Sequence, residues 1–148
     1  MRLKLRVSIE REPEIIKELQ DRNIEISENA EFVLIEDTDE DKIRCRKDNE
    51  IIVVSLHEIC YIESLGRDVF IHLYNGKCYK SDKRLYQFEG ELSSDDFIRI
   101  SNSVIIARKS IKKIKPSLSC KYLLTLEDNS IIDVTRTYYY KFKDFFGI

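Results

Sequence analysis

Two dipeptides, Asn75-Gly76 and Asp128-Asn129, constrain this chain more than any other feature. Each stands between short runs rich in β-branched and aromatic residues. Val69–Tyr74 and Lys77–Lys80 flank the first; Lys121–Glu127 and Ser130–Val134 flank the second. Asn, Asp and Gly tolerate the positive φ of a tight turn, so each pattern predicts a β-hairpin. The surrounding texture agrees. Lys42–Arg46 alternates, Asp48-Asn49 marks a turn, and Ile51–Leu56 is a β-branched run expected to be a core strand. Ile59–Ser64 reads as a strand closed by the tight loop Leu65-Gly66-Arg67-Asp68. Arg84–Leu92, with Leu85, Phe88 and Leu92 three and four apart, predicts a helix. Tyr138, Phe142 and Phe145 repeat that spacing in the tail, as core rather than as a stacking platform. The region from about residue 42 to 148 is therefore mainly β, an α+β arrangement of antiparallel strands with two short helices.

The first third reads differently. Residues 3–9 alternate as a strand does. Glu12-Pro13 then opens a helix, because proline suits the first turn and acidic side chains suit the helix dipole there. Ile15, Ile16 and Leu19 form its apolar stripe, which fades near Asn23. Residues 32–36 predict another strand. The acidic run Asp37–Asp41 is the expected hinge, giving a β-α-β unit over residues 1–41 and a main domain over 42–148. A unit of about 40 residues is near the limit for folding alone. It is expected to pack on the main domain or on a second copy, as a dimerisation element.

Charge follows the same division. Residues 1–50 hold 10 Lys and Arg against 15 Asp and Glu, whereas residues 51–148 hold 15 against 12. No Asp or Glu falls between Arg99 and Glu127, a stretch that contains Arg108, Lys109, Lys112, Lys113 and Lys115. Basic residues on a β-rich surface are often only solvated. A gap of this size in a slightly acidic chain instead suggests a surface offered to an anion, such as the DNA backbone.

Enzyme chemistry finds little support. No glycine loop cradles a phosphate, neither HExxH nor GxSxG occurs, and Ser101 and Ser103 have no neighbouring histidine as base. No catalytic residue, cofactor or metal site is expected. His57 and His72 are isolated, and Cys45, Cys60, Cys78 and Cys120 lack CxxC spacing, so all four are read as small buried thiols. No apolar run is long enough to span a membrane and the N-terminus does not read as a secretory signal, so a cytoplasmic protein is expected.

Four segments from Lys42 onward resemble the LytTR DNA-binding domain, the effector domain of many bacterial transcription regulators. Ile52–Ser64 resembles its opening strands, Ile59 to Ser64 matching I-x-Y-I-E-S with Cys60 in the free position. Val69–Lys77 resembles its first hairpin. Leu85–Ile114 resembles its helix followed by F-x-R-I-x-x-S, matched by Phe97, Arg99, Ile100 and Ser103, and then I-x-x-I at Ile111 and Ile114. Ile132–Arg136 resembles the V-S-R segment that opens the last helix, with Thr135 in place of serine. Ala107 stands where the family pattern has asparagine. The resemblance covers about two-thirds of the chain.

It implies small antiparallel sheets with short helices, whose loops enter DNA major grooves. By position, it implies base contacts from Arg67, Asn102 and Arg136, and backbone contacts from Arg99, Ser103, Arg108 and Lys109. Thr135 is placed to cap the last helix. Plainer readings stay open at this point: loop decoration for Arg67, turn hydrogen bonds for Asn102, an ion pair with Asp133 or Asp144 for Arg136. The resemblance further implies double-stranded DNA as partner, a homodimer on repeated half-sites, and a regulatory partner protein, membrane-bound in some family members. About 40 residues precede the domain, too few for a phosphorylatable β/α receiver, so a standalone regulator is expected. The competing expectation is a protein-interaction module that docks a partner through its acidic N-terminal unit.

Overall fold

The structure, a computed structural model, describes residues 1–36 and 42–148. The hinge expected at residues 37–41 lies outside the described residues. The chain divides into two compact units, Met1–Asp41 and Lys42–Ile148.

The N-terminal unit contains β1 (Arg2–Arg6), α1 (Glu12–Asp21), β2 (Glu25–Ile26) and β3 (Phe32–Ile35). Strand β1 is central and pairs parallel with both others, in the order β2-β1-β3. Parallel neighbours need a crossover, and α1 supplies it between β1 and β2. Pro13 sits in the first turn with Glu12 and Glu14, and the helix ends before Asn23, which takes φ 59°. Leu19 is buried and Ile15 and Ile16 are half-buried. Strand β2 adds two residues that the β-α-β reading did not contain. At the sheet edge β3 leaves Phe32, Val33, Leu34 and Ile35 exposed by 37–60%.

The second unit is built on a seven-stranded antiparallel sheet. Its strands are β4 (Lys42–Lys47), β5 (Glu50–Ser55), β6 (Ile59–Leu65), β7 (Asp68–Leu73), β8 (Cys78–Ser81), β9 (Phe97–Arg99) and β10 (Val104–Ala107). They lie in the order β5-β4-β8-β7-β6-β10-β9. Helix α2 (Leu85–Glu91) joins β8 to β9. A three-stranded antiparallel sheet follows, β11 (Ile111–Ser117), β12 (Lys121–Leu126) and β13 (Ile131–Val134), and then α3 (Tyr139–Phe146). Both hairpin signals close hairpins, and in each only the second residue takes a positive φ, 86° at Gly76 and 65° at Asn129. The mainly β expectation of small antiparallel sheets with short helices therefore holds for this unit.

Two cores flank β9 and β10. Phe97, Ile105 and Ala107 join Ile62, Ile71, Leu85 and Phe88 in one. Ile98, Ile100, Val104 and Ile106 join Tyr122, Leu124, Val134 and Phe142 in the other. Burial on both faces explains why Val104–Ala107 runs apolar without alternation.

Two expectations need correction. Ile51–Leu56 is not a core strand. It forms the edge strand β5, with Ile51 67% and Val53 60% exposed and only Val54 fully buried. The cysteines also divide: Cys45 and Cys60 are buried, but Cys78 and Cys120 are exposed.

Candidate nucleic-acid interface

Three turns from distant parts of the sequence meet at one end of the second unit. Gly66-Arg67 is the two-residue turn of the β6–β7 hairpin, where Leu65 pairs with Asp68. Gly66 adopts φ 63°, a conformation costly for any residue with a Cβ. Ser101–Ser103 links β9 to β10. Thr135 leads from β13 into a 3-10 turn, Arg136–Tyr138. The Ser64 amide donates to the Ser103 carbonyl at 2.8 Å, tying the first turn to the second. The Thr135 amide donates to the Ile100 carbonyl at 3.0 Å, tying the third to the second. The Tyr138 hydroxyl also donates to Asn102 Oδ1 at 3.2 Å. The order across the surface is therefore Arg67, Asn102, Arg136.

Arg67, Asn102 and Arg136 are exposed. The Arg67 and Arg136 guanidinium groups meet no hydrogen-bonding or ion-pair partner among the described residues, and neither Asp133 nor Asp144 pairs with Arg136. The carboxylates nearest Arg67 in sequence are engaged elsewhere. Asp68 pairs with Lys80 at 2.9 Å, and Glu63 accepts from His72 Nε2 at 2.7 Å. The His72 ring stacks on Tyr61 at 4.2 Å. Two free cations and one amide thus flank each other on backbone fixed by sheet hydrogen bonds.

Arg99 has a different position from the one expected of a phosphate contact. Its side chain is only 18% exposed. Nε donates to the Ser101 carbonyl at 3.1 Å, one terminal nitrogen to the Asn102 carbonyl at 2.7 Å, and the other to Glu89 Oε2 at 2.9 Å. Its charge is spent inside the protein, on the Asn102 turn. Ser103 remains exposed in that turn, its hydroxyl 3.3 Å from Ser101 Oγ. Thr135 stands at the N-cap of the 3-10 turn without capping it; its hydroxyl donates to the Ile100 carbonyl at 3.4 Å instead.

Arg108 and Lys109 are not brought to the three turns. They follow the far end of β10, a four-residue strand roughly 13 Å long. Arg108 is also pinned there. It donates to the Phe145 carbonyl at 2.6 Å and lies 4.1 Å from the centre of the Phe145 ring. Lys109 lies 5.7 Å from the Tyr74 ring.

Two residues at the cluster went unnoticed in the sequence. Arg84, just before α2, donates to the Arg67 carbonyl at 2.8 Å and braces the first turn. Lys121 opens β12, and the pairing of Tyr122 with Val134 sets Lys121 beside the end of β13, next to Thr135. The only sequence signal for Lys121 was its place in the stretch without acids. For Arg84 there was none, since its partner is a carbonyl 17 residues away. Among the described residues no group of three or more His, Cys, Asp or Glu could hold a metal ion, and no helix is long and apolar enough to cross a membrane.

Comparison with known proteins bears on the family and the fold of the second unit. The family model of the LytTr DNA-binding domain matches residues 49–147. The sensory transduction protein LytT of Bacillus subtilis (strain 168) is 32% identical over 88 residues, 60% of this chain but 36% of that protein. A solved LytTr DNA-binding domain from Bacillus cereus superposes with a TM-score of 0.69 over 73% of this chain and 98% of that one, at 22% identity, which establishes the shared fold.

Proposed function

This chain belongs to the LytTR DNA-binding domain family, and from that premise we propose that it is a sequence-specific transcriptional regulator that reads repeated half-sites with Arg67, Asn102 and Arg136. The observation that carries the proposal is the meeting of three turns, with two unpaired arginines on either side of an exposed asparagine. Arginine reaches guanine O6 and N7 with two bonds, and asparagine pairs similarly with adenine. Each such contact discriminates by roughly 1–3 kcal/mol. Ser103 and Lys121 are the neighbouring candidates for phosphate, which positions the protein without reading sequence. Lys109, one strand length away, would reach the duplex where it bends around the domain, whereas Arg108 is held by Phe145.

Two copies would occupy half-sites about one helical turn apart. The N-terminal unit supports this, because β3 offers an edge unpaired among the described residues, with four exposed apolar side chains, to a second copy. Restraint by a membrane-bound partner protein rests on the family resemblance alone. The competing interaction module rests on the acidic run at residues 37–41, outside the described residues. Glu18, Glu25, Glu28 and Glu36 of the acidic unit already pair with Arg22, Arg2, Lys4 and Arg11.

The test is selection of duplexes from a random pool, followed by affinity measured against salt. The expected result is an enriched repeated site, bound far more tightly than random duplex. Arg136→Ala and Asn102→Ala should each relax specificity at a defined base pair. Unchanged affinity and specificity in both variants would refute the reading heads. Binding without sequence preference would reduce the interface to a basic surface.

A further inference from the structure

We infer that Tyr138 and Arg99 are specificity-determining positioning residues: they hold the Asn102 side chain and its turn in the place from which it reads a base. The inference rests on the proposed reading role of Asn102 and deepens it.

An asparagine side chain on an exposed turn has two nearly equivalent amide orientations and several rotamers. Only one orientation presents the carbonyl oxygen to adenine N6 and the amide nitrogen to N7. Here the Tyr138 hydroxyl donates to Asn102 Oδ1 at 3.2 Å. That bond occupies one of two lone pairs on the oxygen. It leaves the second pair and both hydrogens of Nδ2 for a base edge.

The backbone beneath is held as well. Arg99 donates to the main-chain carbonyl of Asn102 at 2.7 Å and of Ser101 at 3.1 Å. The same guanidinium lies 5.9 Å from the centre of the Tyr138 ring. Glu89, from α2, holds it from behind at 2.9 Å, and Lys141, from α3, reaches the same carboxylate at 3.5 Å. One cation thus fixes both the peptide that carries the reader and the ring that orients it. A lysine at 99 would keep the charge, but it lacks the planar fork that serves two carbonyls and a carboxylate together.

The experiment uses the full chain and a duplex enriched by the wild type from a random pool, together with every single-base-pair variant of that duplex. Tyr138→Phe removes one hydroxyl from a half-buried ring, so the fold is expected to persist, with melting temperature as the check. The expected result is a loss of discrimination of about five- to tenfold at the base pair that Asn102→Ala relaxes, and nowhere else. Affinity for random duplex should stay at the wild-type value. The double variant should be no worse than Asn102→Ala alone, since Tyr138 acts through Asn102. Arg99→Lys and Arg99→Ala should lose discrimination alike and leave the salt slope unchanged. A phosphate contact would behave differently: lysine would suffice, and alanine would reduce the slope by about one.

If Asn102→Ala relaxes one base pair while Tyr138→Phe keeps full discrimination there, or if the two losses simply add, the positioning role is overturned and the reading role survives. If Asn102→Ala relaxes no base pair, both fall.

Discussion

Phe142 is where the C-terminal helix is fastened to the domain, and its truncation to alanine tests how the interface is supported. The ring is 0% exposed. It packs at 5.3 Å from Tyr122 of β12 and 4.7 Å from Phe146 on the next turn of α3, within the core formed by Ile98, Ile100, Leu124 and Val134. Phe142→Ala removes six ring carbons from a site closed by strands on one side and by its own helix on the other. Rigid strands limit collapse into the void, so the expected loss is about 3–5 kcal/mol. A domain of roughly 107 residues is stable by about 5–16 kcal/mol, so the variant should remain folded but marginal. Urea unfolding should show that loss, and the melting temperature should fall by at least about 12 °C. Tyr140→Ala, at a ring 68% exposed on the same helix, should cost less than about 1 kcal/mol. Arg136 and Tyr138 immediately precede this helix, so specific DNA affinity should decline with α3 docking before the sheets unfold. A loss below about 1.5 kcal/mol, or one matched by Tyr140→Ala, would refute the account of α3 as a core element.

Two further outcomes follow from the ionisable groups. Burial raises the pKa of Glu89, but the Arg99 hydrogen bond and charge, with Lys141 beside them, outweigh it and hold the carboxyl below its ordinary value of 4.5. A depressed folded pKa contributes stability that is present above the unfolded value and lost as pH falls through the folded one. The stability difference between wild type and Glu89→Gln should therefore be steady from neutral pH to about 5 and vanish in acid; because Glu89 is partly exposed, it should stay under about 1 kcal/mol. A difference that grows in acid would contradict the pairing. Among the thiols, burial pushes Cys45 and Cys60 up to about 11, while Cys78 and Cys120 are exposed. A thiol-specific reagent at neutral pH should label Cys78 and Cys120 in the native protein, and Cys45 and Cys60 only after unfolding. Fast native labelling of all four would contradict the burial of β4 and β6.

Local chemistry made much of the fold legible. Asn75-Gly76 and Asp128-Asn129 announce hairpins because turn geometry depends on two residues, and the three- and four-residue spacing of Leu85, Phe88 and Leu92 announces α2 because a helix face is local. Pattern alone did not distinguish an edge from a centre. Ile51–Leu56 has the composition of an inner strand, yet it lies at the sheet margin, because strand order is set by pairings between distant segments. For the candidate interface, the resemblance named Arg67, Asn102 and Arg136, but nothing in their spacing says that they meet. Their meeting follows from the pairing of β6 with β10 and from the Thr135–Ile100 hydrogen bond. The same contacts divide the basic residues. Arg99 is drawn inward by Glu89 and two carbonyls, Arg108 is drawn to the end of α3, and Arg67 and Arg136 remain free. The sequence by itself determined which residues carry charge and where the hairpins lie, because both are properties of the residue and its near neighbours. Only the tertiary structure decided which charges are spent within the protein and which remain for a partner, because a guanidinium is neutralised by whatever acceptor the fold brings within about 3 Å, however far away that acceptor lies in the chain.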